Sequence, residues 1–108
     1  MVPVRKKQRR SLPVLELSIE RRCVRLVKLR GGRILKLQHL KGWPDRLLLY
    51  RRQVKLIEFK RPKLGRLSPL QRLTLGWLAE NGFDPRVIDN VLDFAALLTE
   101  LDCNEMDA

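Results

Sequence analysis

A change of hydrophobic period along the chain constrains the fold more than any other feature of this sequence. Apolar side chains recur at three- and four-residue spacing over residues 15–30, which is typical of a helix, and Gly31-Gly32 ends the pattern. Three short strand-like runs follow, at residues 33–38, 46–50 and 54–60. Because so few residues separate the last two runs, we expect them to pair as an antiparallel hairpin.

Capping signals predict two further helices. Ser68 and Gln71 have the spacing of a capping box, with a proline between them at the first helical position. We assign the apolar stripe of this helix, including Trp77, to the core. Residues 86–89 are a short strand candidate, and Asn90 can cap a last helix. The order α-β-β-β-α-β-α predicts a small α/β domain with a mixed sheet flanked by helices.

Charge is strongly polarised along the chain. The sequence has 23 Lys and Arg against 12 Asp and Glu, a net charge of +11. From Asp84 onward, however, Arg86 is the single basic residue among seven acidic ones. We expect a flexible basic arm at residues 1–14, a folded domain at 15–102 and an acidic tail at 103–108. A basic excess of this size favours a polyanionic partner, most often nucleic acid.

Other classes of protein are disfavoured by what the sequence lacks. No apolar run reaches the roughly 18 residues that a membrane-spanning helix needs, so no membrane partner is expected. Cys23 and Cys103 are too few for a disulfide framework or a four-cysteine zinc site, which indicates a reducing compartment. Cys23 falls on the apolar stripe of the first helix and is predicted to be a small core residue.

Two carboxylates and a lysine form the group that could support chemistry. Glu58 and Lys60 share one face of a predicted strand, and Asp45 opens the strand expected to pair with it. Neighbouring carboxylates repel unless a cation lies between them, and hard oxygen ligands suit Mg²⁺ or Mn²⁺. Such a metal could polarise a phosphodiester while Lys60 orients water or stabilises developing charge. The alternative is an ordinary solvated ion pair on an edge strand.

At this point the sequence resembles the VRR-NUC domain, the virus-type replication-repair nuclease branch of the PD-(D/E)xK superfamily. The resemblance extends from about residue 15 to residue 101, and its length and spacing are similar to the stand-alone phage and bacterial members. It implies a small restriction-endonuclease-like core. The motifs that carry it are, in order, Glu16-Leu-Ser-Ile19, Gly31-Gly32, Gly42-Trp43-Pro44-Asp45, Ile57-Glu58-Phe59-Lys60-Arg61-Pro62, Gly65-Arg66-Leu67-Ser68-Pro69-Leu70-Gln71 and Gly82.

The resemblance implies roles for individual residues. It assigns metal binding to two strand carboxylates, one main-chain carbonyl and one helical glutamate, namely Asp45, Glu58, Phe59 and Glu16. Glu20 lies one turn after Glu16 and is the competing assignment. Lys60 and Gln71 would complete the catalytic set with the two strand carboxylates. The capping-box interpretation of Gln71 stands beside this role as an equal alternative. Trp43 departs from the small aliphatic residue expected before Pro-Asp, which alters the shape of the expected substrate cleft.

The implied function is a Mg²⁺-dependent, structure-specific DNA endonuclease, with Mn²⁺ as a substitute metal and no organic cofactor. Branched DNA, such as four-way (Holliday) junctions or flaps, would be the substrate, and a homodimer in the cytoplasm of a bacterial or phage-infected cell would be the active form. The alternative is a basic nucleic-acid-binding accessory protein without catalysis. Five basic residues that flank the site are predicted phosphate contacts: Lys41, Arg46, Arg61, Lys63 and Arg66.

Overall fold

A computed structural model of the chain describes residues 15–38, 40–61 and 66–107. The order of its elements confirms the predicted α-β-β-β-α-β-α arrangement. The predicted basic arm lies outside the described residues, and the last helix continues through residues 103–107 of the expected acidic tail. The elements are α1 (Leu15–Leu29), β1 (Arg33–Lys36), β2 (Arg46–Tyr50), β3 (Gln53–Phe59), α2 (Pro69–Glu80), β4 (Arg86–Ile88) and α3 (Val91–Asp107).

The four strands form one mixed sheet in the order β1-β2-β3-β4. The first three strands are antiparallel neighbours, and β4 joins β3 in parallel. The β2–β3 hairpin closes with a two-residue turn at Arg51 and Arg52, since Tyr50 pairs directly with Gln53. Both turn residues have positive φ, 50° and 65°, which is the backbone of a type I′ turn. This turn matches the right-handed twist of the strands and fixes the register of the hairpin.

The hydrophobic core lies on the face of the sheet that α1 and α3 cover. Alternate residues of the central strands point into it, so Phe59 packs against Phe94 of α3 with ring centroids 6.0 Å apart. Cys23 is buried here as predicted, and burial, followed by repulsion from Glu20, raises the pKa of its thiol to about 12. A thiol with so high a pKa remains protonated, and Cys23 therefore serves in packing.

The opposite face of the sheet is largely uncovered. Leu35, Val54 and Val87 point to this side and are exposed, because α2 contributes only Leu78 to the buried side chains. The prediction that Trp77 belongs to the core was therefore wrong. An apolar helical stripe shows that a helix has one apolar side, but it does not show how much of that side the sheet covers. None of the described helices is long and apolar enough to cross a membrane.

Candidate active site

The β2–β3 hairpin brings Asp45 and Glu58 together, as the sequence predicts. Arg46, the first residue of β2, pairs with Ile57, so the preceding Asp45 lies across from Glu58. The Asp45 carbonyl accepts a hydrogen bond of 2.8 Å from the Leu37 amide, which holds the entry to β2 against the end of β1. The two carboxylates therefore stand on neighbouring strands at positions that backbone pairing determines.

Asp45 is in an environment that opposes its ionised form. Burial raises the pKa of its carboxyl to about 6, with further contributions from the charges of Glu58 and Glu20. Arg46 and the Phe59 backbone oppose this rise only in part. The Oδ1 atom is buried and has no hydrogen-bond partner among the described residues. A buried carboxylate oxygen that lacks a donor and faces other carboxylates has the properties expected of a cation ligand.

Glu58 is the most thoroughly enclosed charged group in the described part of the chain, with only 5% of its surface exposed. Its Oε2 accepts a hydrogen bond of 2.9 Å from Gln71 Nε2 and lies 3.3 Å from Lys60 Nζ. Burial raises the pKa of Glu58, whereas the charge and hydrogen bond of Lys60 act in the opposite direction. Lys60 and Gln71 thus hold Glu58 in one orientation beside Asp45.

Gln71 has two structural roles at once. Its Oε1 accepts from the Ser68 backbone N–H at 2.8 Å, and its own backbone N–H donates to Ser68 Oγ at 3.1 Å, which completes the predicted capping box. Its Nε2 remains free to donate to Glu58. The N-terminal cap of α2 and the orientation of a site carboxylate therefore depend on the same side chain, and the two interpretations of Gln71 are compatible.

On α1, the side chain of Glu20 acts on Asp45 through its charge but does not join the two carboxylates in one cluster of described acids. Its Oε2 accepts a 2.6 Å hydrogen bond from Arg46, both side chains are largely buried, and its charge contributes to the raised pKa of Asp45. The backbone of Glu16 lies one turn earlier on α1, but its side chain is outside the described part of the structure. Arg46, predicted as a phosphate contact, is engaged by Glu20, so such a contact would have to break this pair.

A basic groove adjoins the carboxylates. It is lined by Lys41, Lys60, Arg66 and the first turn of α2, which includes Gln71. Three lysine and arginine side chains from separate segments thus line one groove, and one of them, Lys60, also contacts Glu58. Of the other predicted phosphate contacts, Arg61 is half-buried and Lys63 lies outside the described residues.

The residues present fit a divalent metal ion at the level of ligand chemistry. Asp45 and Glu58 supply hard carboxylate oxygens, and Asp45 Oδ1, which has no partner among the described residues, is available as a metal ligand. The described side chains do not include a group of three or more His, Cys, Asp or Glu residues that could hold a metal between them. A complete ligand set would therefore need a main-chain oxygen, water or the helical glutamate.

An aromatic cluster beside the groove was missed at the sequence level. It consists of Trp43, Trp77 and Phe83, which come from three separate segments. Trp77 was assigned to the core and Trp43 was noted only as a departure from the family pattern. The Asn81-Gly82 helix stop was an available signal, because the residue after such a stop commonly contacts the preceding helical turn.

The elements form a small α/β domain in which Asp45, Glu58 and Lys60 lie next to a basic groove. One solved structure, described as a "VRR_NUC domain", superposes on this chain with a TM-score of 0.66 and 20% sequence identity, covering 78% of this chain and 94% of the other. The chain therefore has the VRR-NUC fold, as the sequence motifs predict. No family model and no curated protein matches the sequence.

Proposed function

We propose that this chain is a metal-dependent, structure-specific DNA endonuclease that hydrolyses phosphodiester bonds. The observation that carries the proposal is the buried Oδ1 of Asp45, which has no hydrogen-bond partner among the described residues and stands beside the buried carboxylate of Glu58. Lys60 contacts that second carboxylate, and a basic groove begins next to it. A purely structural ion pair between Glu58 and Lys60 has no need of a neighbouring carboxylate, Asp45, whose buried oxygen lacks a donor among the described residues.

Asp45 and Glu58 would hold the metal, with the main-chain carbonyl of Phe59 and the helical glutamate as further ligands. The glutamate is Glu16 by the family resemblance, while the proximity of Glu20 to Asp45 supports the alternative. When bound, Mg²⁺, or Mn²⁺ in its place, supplies positive charge to the phosphate and lowers the pKa of a coordinated water. The same charge relieves the repulsion that raises the pKa of Asp45.

The remaining side chains position the scissile phosphate and its nucleophile. Lys60 is close enough to Glu58 to share a water with it, and its ammonium can stabilise charge that develops on the phosphate oxygens. Gln71 restrains Glu58 through its Nε2 hydrogen bond. Lys41 and Arg66 line the groove and would contact the flanking phosphates. The groove thereby aligns the backbone of one strand with the carboxylates.

Branched DNA, such as a four-way junction or a flap, is the proposed substrate, and a homodimer is the proposed active form. One copy of the domain has one basic groove beside its carboxylates, so symmetric cutting of a junction needs a second copy. The uncovered sheet face, with Leu35, Val54 and Val87 exposed, offers an apolar surface for this pairing. Light scattering should then give a mass in solution of about twice the 12.7 kDa of one chain, and Val54→Glu should reduce this mass to that of the monomer. A monomeric wild type at micromolar concentration that still resolves junctions would contradict the dimer.

A cytoplasmic location is also proposed. Cys23 and Cys103 are both free, and Cys103 is exposed. Reducing compartments keep such thiols unpaired. Thiol titration of protein purified without reductant should find two free cysteines per chain if no intermolecular disulfide forms.

The decisive test is a cleavage assay on labelled four-way junction, flap and linear duplex DNA, with Mg²⁺, Mn²⁺ or EDTA. We expect metal-dependent cutting, strongest on branched substrates, and a loss of roughly 100-fold or more in Lys60→Ala. Lys28→Ala removes an equal charge from the exposed part of α1 and is the matched control. Binding without cutting of any substrate, unchanged by EDTA and steeply weakened by salt, would favour the non-catalytic accessory protein.

A further inference from the structure

Three exposed aromatic rings stand together near the basic groove, because Trp43 directly follows Gly42, which lines that groove. The Trp77 and Phe83 rings are stacked, with centroids 6.2 Å apart and planes inclined by 19°. Trp43 meets Trp77 edge-on, with centroids 6.4 Å apart. The exposed fraction is 38% for Trp43 and 53% for both Trp77 and Phe83. We call these residues the aromatic cluster.

The backbone holds each ring in place by local structure. At the end of α2, the Phe83 amide donates to the Leu78 carbonyl and the Gly82 amide to that of Ala79, the two bonds of a Schellman motif. Gly82 takes the positive φ of 82° that this motif requires, and the motif directs Phe83 back over Trp77. The cluster is therefore preorganised by a helix cap.

A tight turn positions the remaining ring. The Trp43 amide donates to the Leu40 carbonyl, and Gly42 has a φ of 83° within that turn. A Cβ at Gly42 would lie only 2.4 Å from the Leu70 side chain, so the turn packs closely on the first turn of α2. Trp43 is thereby held against the helix that carries Trp77.

The cluster lies within reach of a strand bound at the proposed site. Trp43 is two residues before Asp45, and Trp77 is six residues after Gln71 on α2, about 9 Å along the helix axis. That distance corresponds to about two or three nucleotide steps at 3.4 Å each. Lys41 is adjacent to the turn that carries Trp43 and also lines the groove. A basic side chain of the groove, Lys41, and an exposed ring, Trp43, therefore belong to the same turn.

We propose that the aromatic cluster is a stacking platform for an unpaired base of the nucleic-acid strand that occupies the groove. This inference rests on the proposed function, whose substrate it specifies more closely. Single-stranded binding sites combine a basic channel with aromatic side chains, because every base has a face that can stack. A base inside an intact duplex has both faces covered. The platform therefore selects DNA with unpaired nucleotides next to the cut, as at a flap or an open branch point.

Intrinsic fluorescence tests the proposal directly, because the chain has only two tryptophans and both belong to the cluster. Single-stranded oligothymidine, titrated into the full chain in EDTA, should quench the emission, whereas a blunt duplex should not. Trp43→Phe and Trp77→Phe leave one tryptophan each and should identify the ring that stacks. Trp77→Leu should weaken oligothymidine binding roughly 5- to 150-fold, while Trp77→Phe should stay within a few-fold of wild type.

The controls separate stacking from loss of fold and from dimer formation. Leu92→Ala removes an apolar side chain of α3 that is even more exposed than Trp77, and it should leave oligothymidine affinity unchanged. Thermal melting and light scattering on every variant report folding and mass. Equal affinity of the wild-type chain and a folded Trp77→Leu variant would overturn the proposal, as would equal quenching by blunt duplex. Conversion of a wild-type dimer to a monomer by Trp77→Leu, with affinity preserved, would instead assign the cluster to the contact between copies.

These outcomes are independent of the test for cleavage. Quenching by oligothymidine in a chain that never cuts DNA would retain the platform and reject the nuclease. Metal-dependent cutting with no preference for unpaired nucleotides, unchanged in Trp77→Leu, would retain the nuclease and reject the platform.

Discussion

Replacement of Asp45 by asparagine should stabilise the folded chain while abolishing its activity. The change keeps the shape of the side chain but removes a negative charge that stands beside Glu58 and Glu20. A pKa raised from 3.8 to about 6 corresponds to an unfavourable contribution of about 3 kcal/mol when the group is ionised. Because Asp45 is only half-buried, solvent screening reduces the expected gain to about 1–2 kcal/mol.

The pH dependence has a definite sign. The folded-state pKa of Asp45 is above its unfolded value, so the unfavourable contribution is fully present above about pH 6. It declines as pH falls and disappears below about 3.8. The free energy of unfolding of Asp45→Asn should therefore exceed that of wild type most clearly at pH 7.5 and approach it near pH 4.

Urea denaturation followed by circular dichroism, in EDTA at pH 7.5 and pH 4, measures both effects. Added Mg²⁺ should stabilise the wild type by binding the folded state and should have little effect on Asp45→Asn. Glu80→Gln removes an exposed carboxylate from α2 and is the matched control. A folded Asp45→Asn variant that is no more stable than wild type at pH 7.5 would refute the electrostatic reasoning.

Three further substitutions test the packing and charge arrangement. Gly42→Ala should destabilise the chain by about 1–3 kcal/mol and slow cleavage, since its Cβ would meet Leu70 and the residue has a φ of 83°. Gly76→Ala, on the same helix as Leu70 but with open space around its Cβ, should instead stabilise the chain by about 0.5–1 kcal/mol. Urea denaturation checks both variants, since their midpoints should shift in opposite directions from wild type. Hydrogen bonding from Arg86 holds the pKa of Asp84 at about 2, below its ordinary 3.8. The ionised Asp84 therefore stabilises the folded chain above pH 3.8, and this stabilisation is lost as pH falls towards 2. Asp84→Asn should lower the free energy of unfolding by under about 1 kcal/mol at pH 7, because the side chain is half exposed, and should be as stable as wild type at pH 2. Acid titration followed by circular dichroism would contradict this if the difference in stability persisted at pH 2.

Much of the site was predictable because its determinants are local. Asp45 and Glu58 belong to two strands joined by a two-residue turn, so pairing in the hairpin is enough to make them neighbours. Ser68 and Gln71 form a capping box whose geometry depends only on three-residue spacing. The side chain that extends from this box to Glu58 could be named in advance, although its hydrogen bond could not.

The engagement of Arg46 and the exposure of Trp77 could not be read from spacing. Arg46 is on the strand face that α1 covers, where Glu20 accepts its hydrogen bond, so its nearest partner comes from a residue 26 positions away. Trp77 lies on an apolar stripe that would be buried if α2 were covered along its length. Both outcomes depend on how the helices are placed against the sheet, which no local pattern specifies.

The sequence by itself determined the order of the elements, the hairpin and the helix caps, because hydrophobic period, turn residues and capping spacing act over a few residues. Only the tertiary structure decided that β4 joins β3 in parallel, that Asp45 Oδ1 is buried with no hydrogen-bond partner among the described residues and that three partly exposed aromatic rings come together. These features depend on long-range packing and on the water that packing excludes, so they arise only when the whole domain is assembled.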